Sequence, residues 1–260
     1  MARIARTALA AALITTTANS IALGADGPST LSVGADYSSG KFGKSESTDL
    51  FYVPVTGKYE TGPWVLKLVV PYIRITGPGN VVGAVGDQVI LPGAGAARRT
   101  EAGLGDVVAS AFYNVLNERD APLGLDFGAK IKFGTADASK GLGTGKNDFS
   151  LQADFFKSIG AFTPFGTLGY RWYGNPAGID LRNVFYGAIG GSYRTSQPTT
   201  IGLAYDWRDR IVPGGGRVSE LTAYVSHKLS GDWKLQVYAV KGFTNGSPDF
   251  GDGLSLACSF

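Results

Sequence analysis

The chain has 260 residues, of which 38 are Gly, one is Met, one is Cys and one is His, and only 17% are charged. This is strand and turn material, poor in helix formers, and its length fits one large β domain or two small ones. A single Cys rules out an internal disulfide, and a single His argues against a His-based metal centre. A formal charge of +3 gives no support for a nucleic-acid partner.

The first 25 residues read as an export signal. Arg3 and Arg6 form a positive start, Thr7 to Thr15 an apolar run of mostly Ala and Leu, and Ser20, Ala22 and Ala25 supply small residues for cleavage. The run is too short and too Thr-rich for a spanning helix. Without Arg3 and Arg6 the formal charge falls from +3 to +1, since no acid precedes Asp26. Residues 26–260 are then the mature domain.

From residue 30 onward one pattern recurs: about ten residues alternating apolar and polar, then a break. Side chains two apart share a face of a strand, so the alternation predicts strands. They fall at 30–39, 49–60, 63–75, 104–116, 122–134, 147–158, 162–173, 183–194, 199–209, 218–228, 233–242 and 252–260. The fold class expected is all-β, a transmembrane antiparallel up-and-down β-barrel of 12 strands. Trp64, Leu66, Leu68, Val70 and Tyr72 share one face, opposite Lys67. Leu123, Leu125, Phe127, Ala129, Ile131 and Phe133 oppose Asp126, Lys130 and Lys132. Phe149, Leu151, Ala153 and Phe155 oppose Asp148 and Asp154, and Ile201, Leu203, Tyr205 and Trp207 oppose Asp206 and Arg208. In 183–194 both faces are small or apolar, and the pattern does not choose between them. Pro54, Pro71 and Pro164 each remove a ladder donor, so bulges or strand ends are expected beside them.

Connections alternate in length: long at 40–48, 76–103, 135–146, 174–182, 210–217 and 243–251, and short between the other pairs. Outer-membrane barrels show this asymmetry, with tight periplasmic turns and longer external loops. A soluble barrel has the same period with its apolar face inward. Three features favour lipid outside. All four Trp lie on the apolar face near strand ends, Trp64 and Trp233 at the short-turn end, Trp172 and Trp207 at the long-loop end, as interfacial girdles require. Charges of both signs lie mid-strand on the other face, where lipid contact would cost roughly 2–4 kcal/mol for each Arg or Lys. Finally, Leu254, Leu256, Cys258 and the terminal Phe260 resemble the C-terminal signature that outer-membrane proteins present to the barrel-insertion machinery.

Twelve strands enclose more than an eight-strand barrel filled by its side chains, and less than a wide porin. The chain therefore reads as an outer-membrane channel, selective by fit, with lipid and lipopolysaccharide around it and a small solute within. Gly103-Leu104-Gly105-Asp106-Val107, the run Gly124 to Thr135, and Gly141-Leu142-Gly143-Thr144-Gly145 before Asp148 resemble the outer-membrane family named for the MetA pathway of phenol degradation. Phe133-Gly134-Thr135 departs from that family's pattern, in which a Pro often precedes Thr-Gly. The resemblance implies a channel for small aromatic or other hydrophobic compounds. On a plainer reading, Gly103 and Gly105 ease the path from a long loop into a twisted strand.

Two candidate sites follow. Lys67, Asp106, Asp126, Lys130, Lys132, Asp148, Asp154, Arg171, Asp206 and Arg208 are expected to line the lumen, either as a field that selects solutes or as cross-strand pairs that stiffen the wall. In the loop 76–103, the apolar Val89, Ile90 and Leu91 with Arg98 and Arg99 form either a constriction folded into the mouth or a surface loop whose arginines bind lipopolysaccharide phosphate. The alternatives to a channel are a structural or adhesive barrel and a barrel hydrolase. For the latter, His227 is the only imidazole, and its neighbour Ser226 points to the opposite face. The chain is accordingly expected not to be an enzyme and to need no cofactor or metal, and its oligomeric state is left open.

Overall fold

A computed structural model describes residues 28–79, 81–83, 88–90 and 97–260. The expected export signal at 1–25 lies outside the described residues. Among these residues fifteen strands run in chain order: β1 Ser29–Gly40, β2 Thr48–Thr61, β3 Trp64–Gly77, β4 Val81–Val82, β5 Val89–Ile90, β6 Arg99–Leu104, β7 Val108–Leu116, β8 Gly124–Lys132, β9 Asp148–Phe156, β10 Phe162–Trp172, β11 Val184–Arg194, β12 Thr199–Arg208, β13 Val218–Lys228, β14 Trp233–Gly242 and β15 Phe250–Ser259. β4 and β5 pair only with each other. The other thirteen form one antiparallel sheet in which β6 and β7 both pair with β3, as two pieces of one wall strand. The wall therefore has twelve strands. It closes where β1 meets β15 and β2 meets β3. A closed sheet has no edge, so each strand has a neighbour on both sides and no row of backbone N–H groups faces hydrocarbon.

The seam is tied to the last residue. Ser29 N donates to the Phe260 carbonyl at 3.2 Å, and Phe260 N to the Ser29 carbonyl at 3.0 Å.

The apolar face of every strand assigned from sequence lies on the outside of the barrel. Leu66, Leu68, Phe127, Leu151, Leu203 and Val237 are exposed there, while the alternate residues, Asp148, Asp154, Asp206 and Arg208 among them, are buried within. In β11, where the alternation was ambiguous, Phe185, Ile189 and Tyr193 face out and Tyr186, Ala188 and Ser192 face in. The outer aromatics pack as girdle pairs: Trp64 on Tyr113 at a centroid distance of 4.8 Å, Phe149 on Trp172 at 5.5 Å, and Tyr170 on Phe185 at 4.7 Å.

The predicted strand 104–116 starts too late and is not continuous. Its first piece begins at Arg99, and residues 105–107 break the ladder. Val69 pairs with Val108 and Tyr72 with Leu104, so three residues face two across the break, which is a bulge. Pro71 causes it: lacking a donor, it can only accept, and Gly105 N takes its carbonyl at 2.9 Å. Pro54 faces Pro71 directly, and the β1–β2 ladder is interrupted beside it, between Val33–Val55 and Asp36–Tyr52. Pro164 sits near the start of β10, just before the first β9–β10 pair, Phe165–Phe156.

Candidate functional site

At the long-loop end, the described residues Val81, Val82, Val89 and Ile90 between β3 and β6 pack inward. The hairpin β4–β5 pairs Val81 with Ile90 and Val82 with Val89. Val81 packs among Phe42, Leu50, Tyr52, Ile73, Ile75, Ala136 and Leu142, with Ile90 against the same cluster. Val89 packs among Tyr173, Leu181, Val184, Ile211 and Val212. The first group belongs to the β2–β3 side, the second to the β10–β12 side, nearly diametric positions in a ring of twelve. The hairpin is thus a strap across the mouth, anchored by apolar burial at both ends. Gly83 N donates to Gly141 O at 3.3 Å, and Arg208 Nη2 on β12 donates to Gln88 O at 3.2 Å. Of the residues expected to form a constriction, Val89 is buried in the strap and Ile90 is partly buried beside Val81, while Leu91 lies outside the described residues. Arg98 binds the Asp49 carboxylate and, at 2.6 Å, the Ser47 carbonyl, so its charge is used within the protein. Arg99 is exposed at the start of β6.

The Gly103–Asp106 motif builds this mouth. Gly105 lies against Pro71, with room for no side chain larger than hydrogen unless the ring gives way: a Cβ would come within 3.0 Å of it. The bulge turns Asp106 inward, where Oδ1 accepts from Ala136 N at 2.9 Å and Oδ2 from Lys132 Nζ at 2.8 Å. Lys132 also lies 3.2 Å from Asp148. This buried triad joins the bulge, β8 and β9 and ties down the loop 133–147, whose Leu142 enters the cluster around Val81. Three of the expected lining charges are therefore engaged with one another.

Apart from Arg208, the remaining expected charges fall into two rows set by register. One row runs Lys58–Lys67–Ser110–Lys130–Ser150–Arg171 across six neighbouring strands. The other runs Asp126–Asp154–Thr167–Ala188–Asp206–Glu220. On β8 to β10 the rows are four residues apart, about 13 Å along the strand. Most members have local partners. Lys67 lies over the Phe112 ring at 5.2 Å, and Lys58 pairs with Glu60 at 2.6 Å. Arg171 donates from Nε to Ser150 Oγ at 3.0 Å and lies 5.6 Å from the rings of both Tyr173 and Tyr186. Asp154 accepts from Gln152 and Thr167, each at 2.9 Å, and Asp126 from Asn114 at 2.6 Å. Asp206 stands apart: neither of its oxygens has a hydrogen-bond partner among the described residues.

The lumen also holds aromatic rings that the sequence reading did not place there. Phe112 faces Gly128, Phe156 Gly124, Phe165 Gly190, Tyr186 Gly169, Tyr224 Gly202 and Tyr238 Gly253, each as a direct cross-strand pair on the inner face. A Cβ on any of these six glycines would fall 2.2–2.6 Å from the facing ring. The missing side chain leaves room for the ring over the opposite backbone, paving the wall. The signal was present as an aromatic on the polar face, but only register names its Gly partner.

His227 and Ser226 lie on opposite faces. Ser226 is buried inward, and His227 Nδ1 is 2.8 Å from Thr199 Oγ1 on the exposed side.

The family described as Gram-negative porin matches residues 80–247. A search of curated proteins finds no significant match. Among solved structures, an outer-membrane channel from Pseudomonas putida F1 superposes with a TM-score of 0.65 at 16% identity, over 90% of this chain and 96% of its own. The NanC porin gives 0.54 at 10% identity, over 88% and 98%. A mutant of TodX, described as a monoaromatic hydrocarbon channel, gives 0.52 at 9% identity, over 91% of each chain. At these identities the likeness is one of fold.

Proposed function

Because the chain belongs to the Gram-negative porin family and is a protein of the bacterial outer membrane, we propose that it is a passive channel for a small aromatic solute. The observation that carries this reading is the paved lumen: six inward rings pack over cross-strand glycines beneath a strap held by two apolar clusters. Phe112, Phe156 and Tyr238, which keep partial exposure, offer stacking to a ring-shaped solute, and the hydroxyls and charges between them can bind its polar groups. The strap acts as the constriction, and the ten charges named from sequence line the path, chiefly as wall-stiffening pairs. The resemblance to the phenol-degradation family and the TodX likeness point to the same solute class. Catalysis has no part in this reading, since His227 and Ser226 face opposite ways.

Phe260, exposed at the seam, serves the insertion machinery in this reading, and the outward Arg74 and Lys241 at the long-loop end meet lipopolysaccharide phosphates. Liposome swelling tests the channel. Hydroxybenzoates should enter faster than hexoses or amino acids of similar mass. Equal rates would remove the aromatic preference, and no flux for any solute would leave a structural barrel.

A further inference from the structure

Below the strap, Asp206 on β12 faces Glu220 on β13 as a direct cross-strand pair. Both are buried, at 1% and 7% exposure. Neither Asp206 oxygen nor Glu220 Oε1 has a hydrogen-bond partner among the described residues. Two like charges placed so close repel one another, and a buried carboxylate without a donor is costly. The row neighbours Ala188 and Gly242 and the next inward residue of β12, Ala204, offer Asp206 no side-chain donor, while the Ser247 hydroxyl reaches Glu220. Arg208, two residues further along β12, brings one positive charge and acts on Glu220. With both carboxylates ionised, the one guanidinium leaves one net negative charge.

A second observation points to a ligand. Thr222, the next inward residue of β13, is 1% exposed and its hydroxyl has no partner among the described residues. It sits diagonal to Asp206 across the pair Ala204–Thr222. Gln88 on the strap is equally buried, and its Oε1 is unpartnered in the same sense, while its backbone carbonyl takes Arg208. One inward patch beside the Arg208 guanidinium thus gathers unsatisfied oxygens from two carboxylates, a hydroxyl and an amide, oxygen ligands of the kind a hard cation takes.

We propose that Asp206 and Glu220, with the Thr222 hydroxyl, form a cation-binding subsite directly beneath the strap. It takes either a small inorganic cation or the ammonium group of a passing solute. The ion supplies the missing positive charge and couples the β12–β13 wall to the Arg208–Gln88 tether above it. The subsite is independent of the aromatic solute proposed above.

Thermal unfolding of the protein purified from outer membranes into detergent tests the subsite without any flux measurement. Calcium chloride and benzylammonium chloride are compared with sodium chloride at equal ionic strength, in wild type, D206N, E220Q and the control D126N. At least one of the two should raise the melting temperature of wild type and D126N by about 2–4 °C, and neither should move D206N or E220Q. A calcium response identifies the inorganic ion, and a benzylammonium response identifies the solute group. If one of the two variants fails to fold, the other decides. The absence of any shift in wild type, or an equal shift in wild type and the variants, overturns the proposal.

Discussion

The Arg208 guanidinium on β12 donates through Nη2 to the backbone carbonyl of Gln88, 3.2 Å away and 120 residues earlier in the chain. This bond fastens the strap to a wall with which it shares no sheet. The strap is therefore held by apolar burial of Val81 and Ile90 on one side, burial of Val89 on the other, the Gly83–Gly141 hydrogen bond, and the Arg208 tether between strap and wall. Two-residue strands have almost no ladder of their own, so the hairpin's position rests on these contacts.

If the strap narrows the mouth, deleting residues 80–96 should raise single-channel conductance in planar bilayers by about twofold or more. Arg208→Ala should give a smaller rise, because both apolar anchors remain. An unchanged conductance in the deletion would show that the strap does not limit flow.

Leu203 lies at the middle of β12 and is half exposed on the outer face. Leu203→Arg should destabilise the barrel by about 2–4 kcal/mol when unfolding is followed in liposomes, far more than Leu203→Ala. Spin labels at Leu125 and Leu203 should report contact with acyl chains. A neutral effect of the arginine would mean that this face does not meet lipid.

Replacing a paving glycine should be costly in proportion to the ring it displaces. At Gly202 a Cβ would fall 2.2 Å from the Tyr224 ring, so Gly202→Val should lose about 1–3 kcal/mol from overpacking. In the Tyr224→Ala background the loss should shrink, and urea titration of the double-mutant cycle measures that coupling. Full additivity would refute the contact.

Lys132 bridges Asp106 and Asp148, with all three side chains largely buried. Lys132→Met leaves two buried carboxylates without their cation and should cost about 3–5 kcal/mol. Proteolysis should then appear in the loop 133–147, which Asp106 holds through Ala136 N. Combining Lys132→Met with Asp106→Asn and Asp148→Asn should recover part of the loss.

The barrel was legible because its signals are local. A side chain's face depends only on the parity of its position, so alternation put Leu66, Phe127 and Leu203 on one side of the wall and Lys67, Asp126 and Asp206 on the other, and the Trp positions and mid-strand charges turned the first side outward. The girdles followed from where Trp64, Trp172, Trp207 and Trp233 fall along their strands. β6 was missed because Arg99–Leu104 carries no apolar alternation; it forms because β3 offers it a ladder beyond the Pro71 bulge. The inner aromatics were missed because a ring on the polar face looks anomalous until its partner is known.

What the amino-acid order settled by itself is therefore the number of wall strands, the outer face of the strands with clear alternation and the alternation of short and long connections, since each depends on residues a few positions apart. Which residues meet across the barrel was decided only on closure. Register sorted the charges into a basic row and an acidic row, seated Tyr224 on Gly202, set Asp206 against Glu220, and carried a loop from β3 to the far wall. The physical reason is that cross-strand neighbours are fixed by stagger around a closed ring, a property of all twelve strands together and of no single segment.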